Sequence, residues 1–216
     1  MKYKPKILIA ICLAAVLVLA LALWYVDSDT AKAARLARSG DPAERVQAVE
    51  LLRGKHDNTA REILARLAKD KNLRVALAAI RALGRDACRQ NQKVLTELCK
   101  HAARGKVRGA AAAALGRFKD TPAAELVAVL RSDKDPVARA GAAEGLYHLH
   151  DRSAANDLLA AMDDDDLAVR RWAAKAFYRT VGLAFLYRPT DPRPKRRAAI
   201  ARIRSTLRWL KTSKER

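Results

Sequence analysis

One ten-residue pattern, VRGAAAAALG at 107–116, recurs along the chain and constrains the fold more than any other feature. Its five copies begin 31 or 32 residues apart, at Glu44, Val75, Val107, Ala138 and Val169. If these residues are numbered position 0, alanine stands at position +4 in every copy, and leucine or phenylalanine stands at position +8. A fixed period of this size is the sequence signature of a repeat array.

Each copy predicts a helix, because apolar residues at positions +4, +5 and +8, and at position 0 in four of the five copies, lie on one helical face. Asp or Asn at position −3 predicts an N-cap in four copies. Gly84 and Gly116 predict helix ends with positive φ. Apolar trios upstream predict a partner helix for four copies: Ile63-Leu64-Leu67, Val94-Leu95-Leu98, Leu126-Val127-Leu130 and Leu158-Leu159-Met162. Residues 29–38 are a weaker first example. No strand-like alternation is sustained, so no sheet is expected.

Three copies resemble a known repeat family: KVRGAAAAALG (106–116), DPVARAGAAEGL (135–146) and DLAVRRWAAKAF (166–177). They are similar to the HEAT-like repeats of phycobilisome lyases, whose pattern is Asp, then Val-Arg, Ala-Ala and Ala-Leu-Gly. The resemblance covers about residues 29–181. It implies an all-α fold, a right-handed α-solenoid of about five HEAT-like helix pairs, in which stacked pairs share one core. It specifies no function.

The N-terminal region carries an uncharged apolar run at 7–26, long enough for one transmembrane helix. Three lysines precede it and two aspartates follow within three residues, which predicts a cytoplasmic N-terminus at 1–6. The chain would then be a single-pass protein of the inner membrane, with its repeats outside the cytoplasm. The alternative is a cleaved signal peptide, with the small residues ALA at 20–22 as the cleavage site.

Positive charge is concentrated in the C-terminal segment. The chain has a net charge of +20, and residues 188–216 hold 11 of its 43 basic residues against two of its 23 acidic ones. Three prolines predict a linker, and Ile200, Ile203, Leu207 and Leu210 mark an amphipathic helix. It could cap the solenoid, contact anionic lipid, or bind a partner or nucleic acid. The basic-tail residues are Arg196, Arg197, Arg202, Arg204, Arg208, Trp209 and Lys211.

An arginine stands at position +1 in four copies, and in three of these an aspartate stands four residues earlier. This spacing predicts ion pairs within each helix, which repeat along the stack. The alternative is a basic stripe that binds an acidic ligand. The arginines are Arg45, Arg108, Arg139 and Arg170, and the aspartates are Asp41, Asp135 and Asp166.

No catalytic residue, cofactor or metal is predicted. The acidic run at 163–166 lacks the spaced ligands and glycine of an EF-hand loop, and His148 and His150 do not face each other on a helix. The chain has no Walker A loop, GxSxG motif or spaced Cys/His set, and no His-Glu pair as in the di-iron enzyme deoxyhypusine hydroxylase. Cys88 and Cys99 either pair in an oxidising compartment or remain thiols.

The best candidate site lies on the second helix of the last two repeats, because this helix lines the concave side in proteins of the family. Aromatic side chains mixed with cations are typical of interface anchors. The alternative is a scattered set of surface and packing residues. The candidates are Tyr147, His148, Arg171, Trp172, Lys175, Tyr178 and Arg179.

We therefore expect a membrane-anchored scaffold or adaptor, not an enzyme, that binds an unidentified protein on its concave face. Its segments would be 1–6, the anchor 7–26, the repeats 27–187, and a linker with a basic helix at 188–216. One rival is a nucleic-acid binder similar to the HEAT-like alkylpurine DNA glycosylases, but the expected topology separates it from DNA. Another is a lyase-related enzyme subunit, for which no residue set is present.

Overall fold

The computed structural model describes residues 13–18 and 29–214, with side chains described as far as Leu210. Residues 29–214 form eleven α-helices and one short 3-10 helix, and no strand occurs in the described chain. Contacts divide the chain into two compact units, Met1–Ala79 and Ile80–Arg216. The boundary between them lies inside the fourth of these helices.

The five predicted helix pairs are all present, and we call the first helix of each pair A and the second B. The A helices are α1 (Asp29–Leu36), α3 (Asn58–Leu67), α5 (Arg89–His101), α7 (Ala123–Ser132) and α9 (Ala155–Ala161). The B helices are α2 (Pro42–Leu51), α4 (Leu73–Leu83), α6 (Gly105–Leu115), α8 (Pro136–Leu149) and α10 (Leu167–Val181). The 3-10 helix Arg152–Ala154 precedes α9, and α11 (Arg193–Lys214) follows α10.

The columns that define the repeat form the core. Every alanine at position +4 is 0 % exposed, and every residue at position +8 is at most 1 % exposed. The A-helix trios are buried too, except that Val94 and Val127 are half-buried. An alanine at position +4 therefore serves packing, because its short side chain lets neighbouring helices approach closely.

The N-caps are confirmed where the sequence offers Asp or Asn. The Asp41, Asp135 and Asp166 carboxylates and the Asn72 side-chain oxygen accept hydrogen bonds from amides of the following turn. These bonds satisfy amides that have no partner within the helix. The predicted positive φ at helix ends is wrong for both glycines: φ is −60° at Gly116, and Gly84 has no positive φ either. The lack of a side chain at Gly116 serves close contact instead, since a Cβ there would lie 2.1 Å from the Gly145 carbonyl oxygen.

Helix α11 continues the repeat as a sixth B helix, which the sequence analysis did not foresee. If Lys195 is position 0, then Arg196 stands at +1, and the buried residues Ala199, Ile200 and Ile203 stand at +4, +5 and +8. The segment 182–192 has no helix and occupies the place of an A helix in the sequence. The Tyr187 hydroxyl fastens it by donating to the Met162 carbonyl. The repeat register thus extends beyond residue 187.

Most of the predicted membrane anchor lies outside the described residues. Residues 13–18 are helical, and Leu13, Val16, Leu17 and Val18 are exposed there. Within the described parts of the chain, no helix is both long and apolar enough to cross a membrane. The remainder of 7–26, and all of 1–6, lie outside them.

Candidate functional site

The arginines at position +1 do form a structural series, but the predicted partners are wrong. The Arg108 Nε donates to Asp133 Oδ2 and its Nη2 to Oδ1, each at 2.7 Å, while Nη1 donates to the Ala102 and Ala103 carbonyls at 2.8 and 3.0 Å. Asp133 follows Arg108 by 25 residues, at position −5 of the next repeat. Arg45 pairs with Asp70 and Arg139 with Asp164 at the same spacing. We call these three pairs the arginine ladder.

The ladder links consecutive repeats, whereas the predicted pairs lay within one helix. The aspartates at position −3 are engaged as N-caps, so they do not serve the arginines. The bidentate bond from Arg108 lowers the pKa of the Asp133 carboxyl, although burial acts in the opposite direction. Because the guanidinium groups at position +1 are occupied by internal hydrogen bonds, the alternative reading of a stripe for an acidic ligand also fails at this position.

Repeat 2 lacks the arginine, and repeat 3 lacks the matching aspartate. Ala76 stands at position +1 of repeat 2, and Ala102 stands at position −5 of repeat 3. Losing one partner alone would leave a buried charge uncompensated, which costs more than losing both. Both members of the pair that would link repeats 2 and 3 are therefore replaced together, each by alanine.

The acidic run Asp163–Asp166 consists of four side chains with separate structural partners. Asp163 accepts from Arg196 and Arg197, Asp164 from Arg139, and Asp166 from the amides of α10. Asp165 lies 3.3 Å from an Arg193 nitrogen. Among the described residues, no group of His, Cys, Asp and Glu side chains could hold a metal ion.

The seven predicted site residues lie together on α8 and α10. The Tyr147 and Trp172 rings meet edge to face with centroids 5.9 Å apart. The Lys175 Nζ lies 4.8 Å from the Trp172 ring centroid, and the Arg179 guanidinium carbon lies 4.4 Å from that of Tyr147. The two rings are half-buried and the two cations exposed. We call these four side chains the aromatic cluster.

The other three predicted residues surround this cluster. Arg171 is exposed one turn before Lys175, and the half-buried Tyr178 hydroxyl donates to the Phe185 carbonyl at 3.3 Å. The His148 ring is 5.3 Å from that of Tyr147. Its pKa is lowered, first by burial and then by the neighbouring charges of Arg117 and Arg179. Burial and these charges therefore favour the neutral form of the histidine.

The structure adds a row of basic side chains at position +10 that the sequence analysis missed. We call Arg85, Arg117, His148 and Arg179 the basic row. Its three arginines are exposed and, within the described chain, form no salt bridge. Their recurrence is visible in the sequence, two positions beyond the last core position at +8.

Two members of the basic row, Arg85 and Arg117, line a shallow cavity on the B helices. It has a volume of about 260 Å³ and is lined by Arg81, Gly84, Arg85, Ala110, Ala113, Ala114, Arg117 and Glu144. Burial raises the pKa of the Glu144 carboxyl, although Arg117 and Lys175 act in the opposite direction. The cavity therefore combines exposed arginines with a floor of small residues.

The basic-tail residues divide into two groups. Arg196 is buried and donates to the Asp191 carbonyl and to Asp163, and Arg197 also binds Asp163. The more distant members, Arg202, Arg204, Arg208 and Trp209, have exposed side chains, and the Lys211 side chain lies outside the described part. The first half of α11 thus packs like a capping helix, which was one of the three open readings.

Cys88 and Cys99 are unpaired thiols, which settles the two readings left open by the sequence. They lie at opposite ends of α5, and eleven residues of helix separate them by about 16 Å. A disulfide needs Cα atoms within about 7 Å. Cys99 is buried, and burial raises its pKa to about 11.

Consecutive helix pairs, a buried alanine at position +4 of every copy and three ion pairs between neighbouring repeats define an α-helical repeat protein of the solenoid class. Residues 30–116 and 123–203 match the family of HEAT repeats. The chain belongs to this family. The second match includes the first half of α11, in agreement with its register as a sixth B helix. No curated protein matches the sequence.

Proposed function

We propose that the chain is an interaction scaffold that binds a partner protein at the aromatic cluster of α8 and α10, and that its N-terminal segment anchors it in a membrane. The observation that carries the binding proposal is the Tyr147–Trp172 contact, with cations over both rings. Such side chains offer a large rigid contact area and dominate the energetics of many interfaces. HEAT repeats supply a stacked framework that holds them in place.

The proposed anchor is supported by composition and by exposed apolar side chains. Residues 7–26 contain no charge, and the helical residues at 13–18 expose large apolar groups. Anchoring would confine the search for a partner to the membrane surface. Lysines before the run and aspartates after it support repeats on the extracytoplasmic side. The basic C-terminal helix would contact anionic lipid only as a second, weaker attachment.

Site-specific photocrosslinking tests the binding proposal. A photoreactive phenylalanine derivative at Tyr147 should capture one dominant partner from membranes, while the same residue at Leu186, which is 95 % exposed, should not. The captured protein is then titrated against purified chain. We expect Trp172→Ala to weaken binding by about 2 kcal/mol or more, as for an interface hot spot. Leu186→Ala is the matched control, and equal weakening by both variants would contradict the assignment.

A reporter fusion tests the anchor separately. Alkaline phosphatase fused after Arg216 should be active, because that enzyme requires an oxidising compartment. Activity of a cytoplasmic reporter at the same position would contradict the proposed topology. It would also return the nucleic-acid binder as the leading function.

A further inference from the structure

We infer that the basic row and the aromatic cluster form one groove that binds an extended acidic segment of the partner protein. This inference rests on the proposed function and names the chemistry of the partner. It also identifies the groove residues Arg81, Arg85 and Arg117, which lie outside the predicted site.

Charge is the first argument for an acidic segment. Six exposed cations belong to the proposed groove: three line the cavity together with the Glu144 carboxylate, and three lie on α10. The cations are Arg81, Arg85, Arg117, Arg171, Lys175 and Arg179. Ladder arginines use their guanidinium donors inside the fold, whereas the three arginines of the basic row form no salt bridge within the described residues. Arginine binds carboxylates through two parallel hydrogen bonds, which gives this row geometric selectivity.

The shape of the groove is the second argument. Its floor consists of Gly84, Ala110, Ala113 and Ala114, whose short side chains leave a cavity of about 260 Å³ above the helices. A peptide backbone can approach such a floor closely. Neighbouring helices pack about 8–10 Å apart, so the basic row spans roughly 24–30 Å across four B helices. An extended segment of about eight or nine residues covers that distance.

The aromatic cluster favours a peptide over nucleic acid. Single-stranded nucleic acid gains affinity when bases stack on accessible ring faces. Here Lys175 lies over Trp172 and Arg179 lies over Tyr147, so cations cover faces of both rings. A carboxylate can bind these cations where they stand, whereas a stacked base would have to displace them.

Binding of defined probes to the full chain tests the inference. The probes are a fluorescein-labelled peptide of about nine glutamates, the same peptide with glutamines, and oligothymidine of equal length. We expect fluorescence anisotropy to show the glutamate peptide binding about tenfold or more tightly than the glutamine peptide, with an affinity that falls as salt rises.

Two double variants with the same change in net charge separate the groove from diffuse attraction. Arg117→Glu with Arg179→Glu should weaken the glutamate peptide about tenfold or more, and Lys134→Glu with Arg152→Glu should change it by less than about twofold. Lys134 and Arg152 are exposed and lie away from the cavity lining. Arg117→Lys with Arg179→Lys should bind with an affinity between those of the wild type and the glutamate double variant, because lysine keeps the charge but not the two parallel hydrogen bonds. Retained binding in this variant also shows that the fold tolerates substitution at these positions.

Three results would overturn the inference. They are no preference for glutamate, equal losses in both glutamate-substituted double variants, and tighter groove-dependent binding of oligothymidine. Photocrosslinking at Tyr147 keeps the two proposals distinguishable. If the partner is captured and the glutamate peptide does not compete, the acidic class is wrong and the scaffold proposal stands. If the peptide binds the groove but no partner is captured, the scaffold proposal fails instead.

Discussion

Helix α8 packs against α6 and against α10, and these two contacts use opposite kinds of residue. Toward α6 the helices meet through glycines: a Cβ on Gly141 would lie 2.1 Å from the Gly109 carbonyl oxygen. Toward α10 the contact includes the Tyr147 and Trp172 rings. Gly141 and Trp172 both stand at position +3 of their repeats.

The same exchange occurs at position +9, where Gly116 is the C-cap of α6 and Tyr147 belongs to α8. One register position therefore supports close backbone contact in one copy and a binding surface in another. The repeat specifies where a side chain stands, and the identity of that side chain decides which of these two uses it has. Measurements on the two contacts can confirm or contradict this difference.

The largest effect is expected at the glycine contact. Gly141→Ala places a methyl group against backbone, which cannot move away as a flexible side chain could. We expect a loss of about 3 kcal/mol or more in the free energy of unfolding, measured by urea denaturation. Gly40→Ala is the matched control, since a Cβ there meets nothing within 4 Å. Similar losses in both variants would mean that the helices separate more easily than their contact implies.

Removing a ladder arginine should lower the free energy of unfolding by similar amounts on both sides of α8. The reason is that the arginine–aspartate geometry is the same at both helix contacts. We expect Arg108→Ala to destabilise by about 3 kcal/mol, and Arg139→Ala slightly less because its side chain is 18 % rather than 10 % exposed. Arg131→Ala is the control, since that side chain is 67 % exposed, and its pair with Asp157 should contribute under about 1 kcal/mol.

Acid should weaken the ladder. Asp133 has a lowered pKa because it accepts from Arg108, and the pKa of Asp164 is also lowered, although burial is its largest single influence and opposes the change. A lowered pKa in the folded state gives stability that is present above the unfolded value of about 3.9 and lost as pH falls through the folded one. Urea midpoints should therefore drop below about pH 4, and the drop should be smaller in Asp133→Asn. If the urea midpoint falls equally in the wild type and in Asp133→Asn, the acid sensitivity comes from groups other than Asp133.

The smallest effect is expected at the aromatic contact. Trp172 is half-buried, so Trp172→Ala should reduce the free energy of unfolding by only about 1–2 kcal/mol, while its effect on partner binding is larger. Urea denaturation and binding are measured on the same preparation. A loss of stability larger than that of Gly141→Ala would show that Trp172 is a core residue.

The fold could be predicted in detail because its signals are local. The alanine column, the apolar trios and the caps each depend on residues a few positions apart, and all five helix pairs followed from them. The arginine ladder could not be predicted in this way, because Arg108 and Asp133 meet only after two helices have stacked. An aspartate four residues away is the better partner in a single helix, but here that position is needed for the cap.

The candidate site was predicted in part for a related reason. Tyr147 and Trp172 stand out by composition, since aromatic residues are rare in the other B helices. Arg117 does not stand out in a chain with 43 basic residues. Arg117 is recognisable as part of a series only when it is compared with Arg85, His148 and Arg179, which share position +10 beyond the last core position. Helix α11 was missed as a repeat for a similar reason, because its register begins 26 residues after Val169.

The ladder also gives the chain an order of assembly during synthesis. Every ladder arginine precedes its aspartate by 25 residues, so each pair can form only after the next turn leaves the ribosome. Arg196 is the opposite case, since it binds Asp163, which was made 33 residues earlier. Among the described residues, the ion pairs of Asp163 are all made by arginines of α11, so a chain that ends before α11 lacks them. The order of these residues thus distinguishes a chain that ends before α11 from one that includes it.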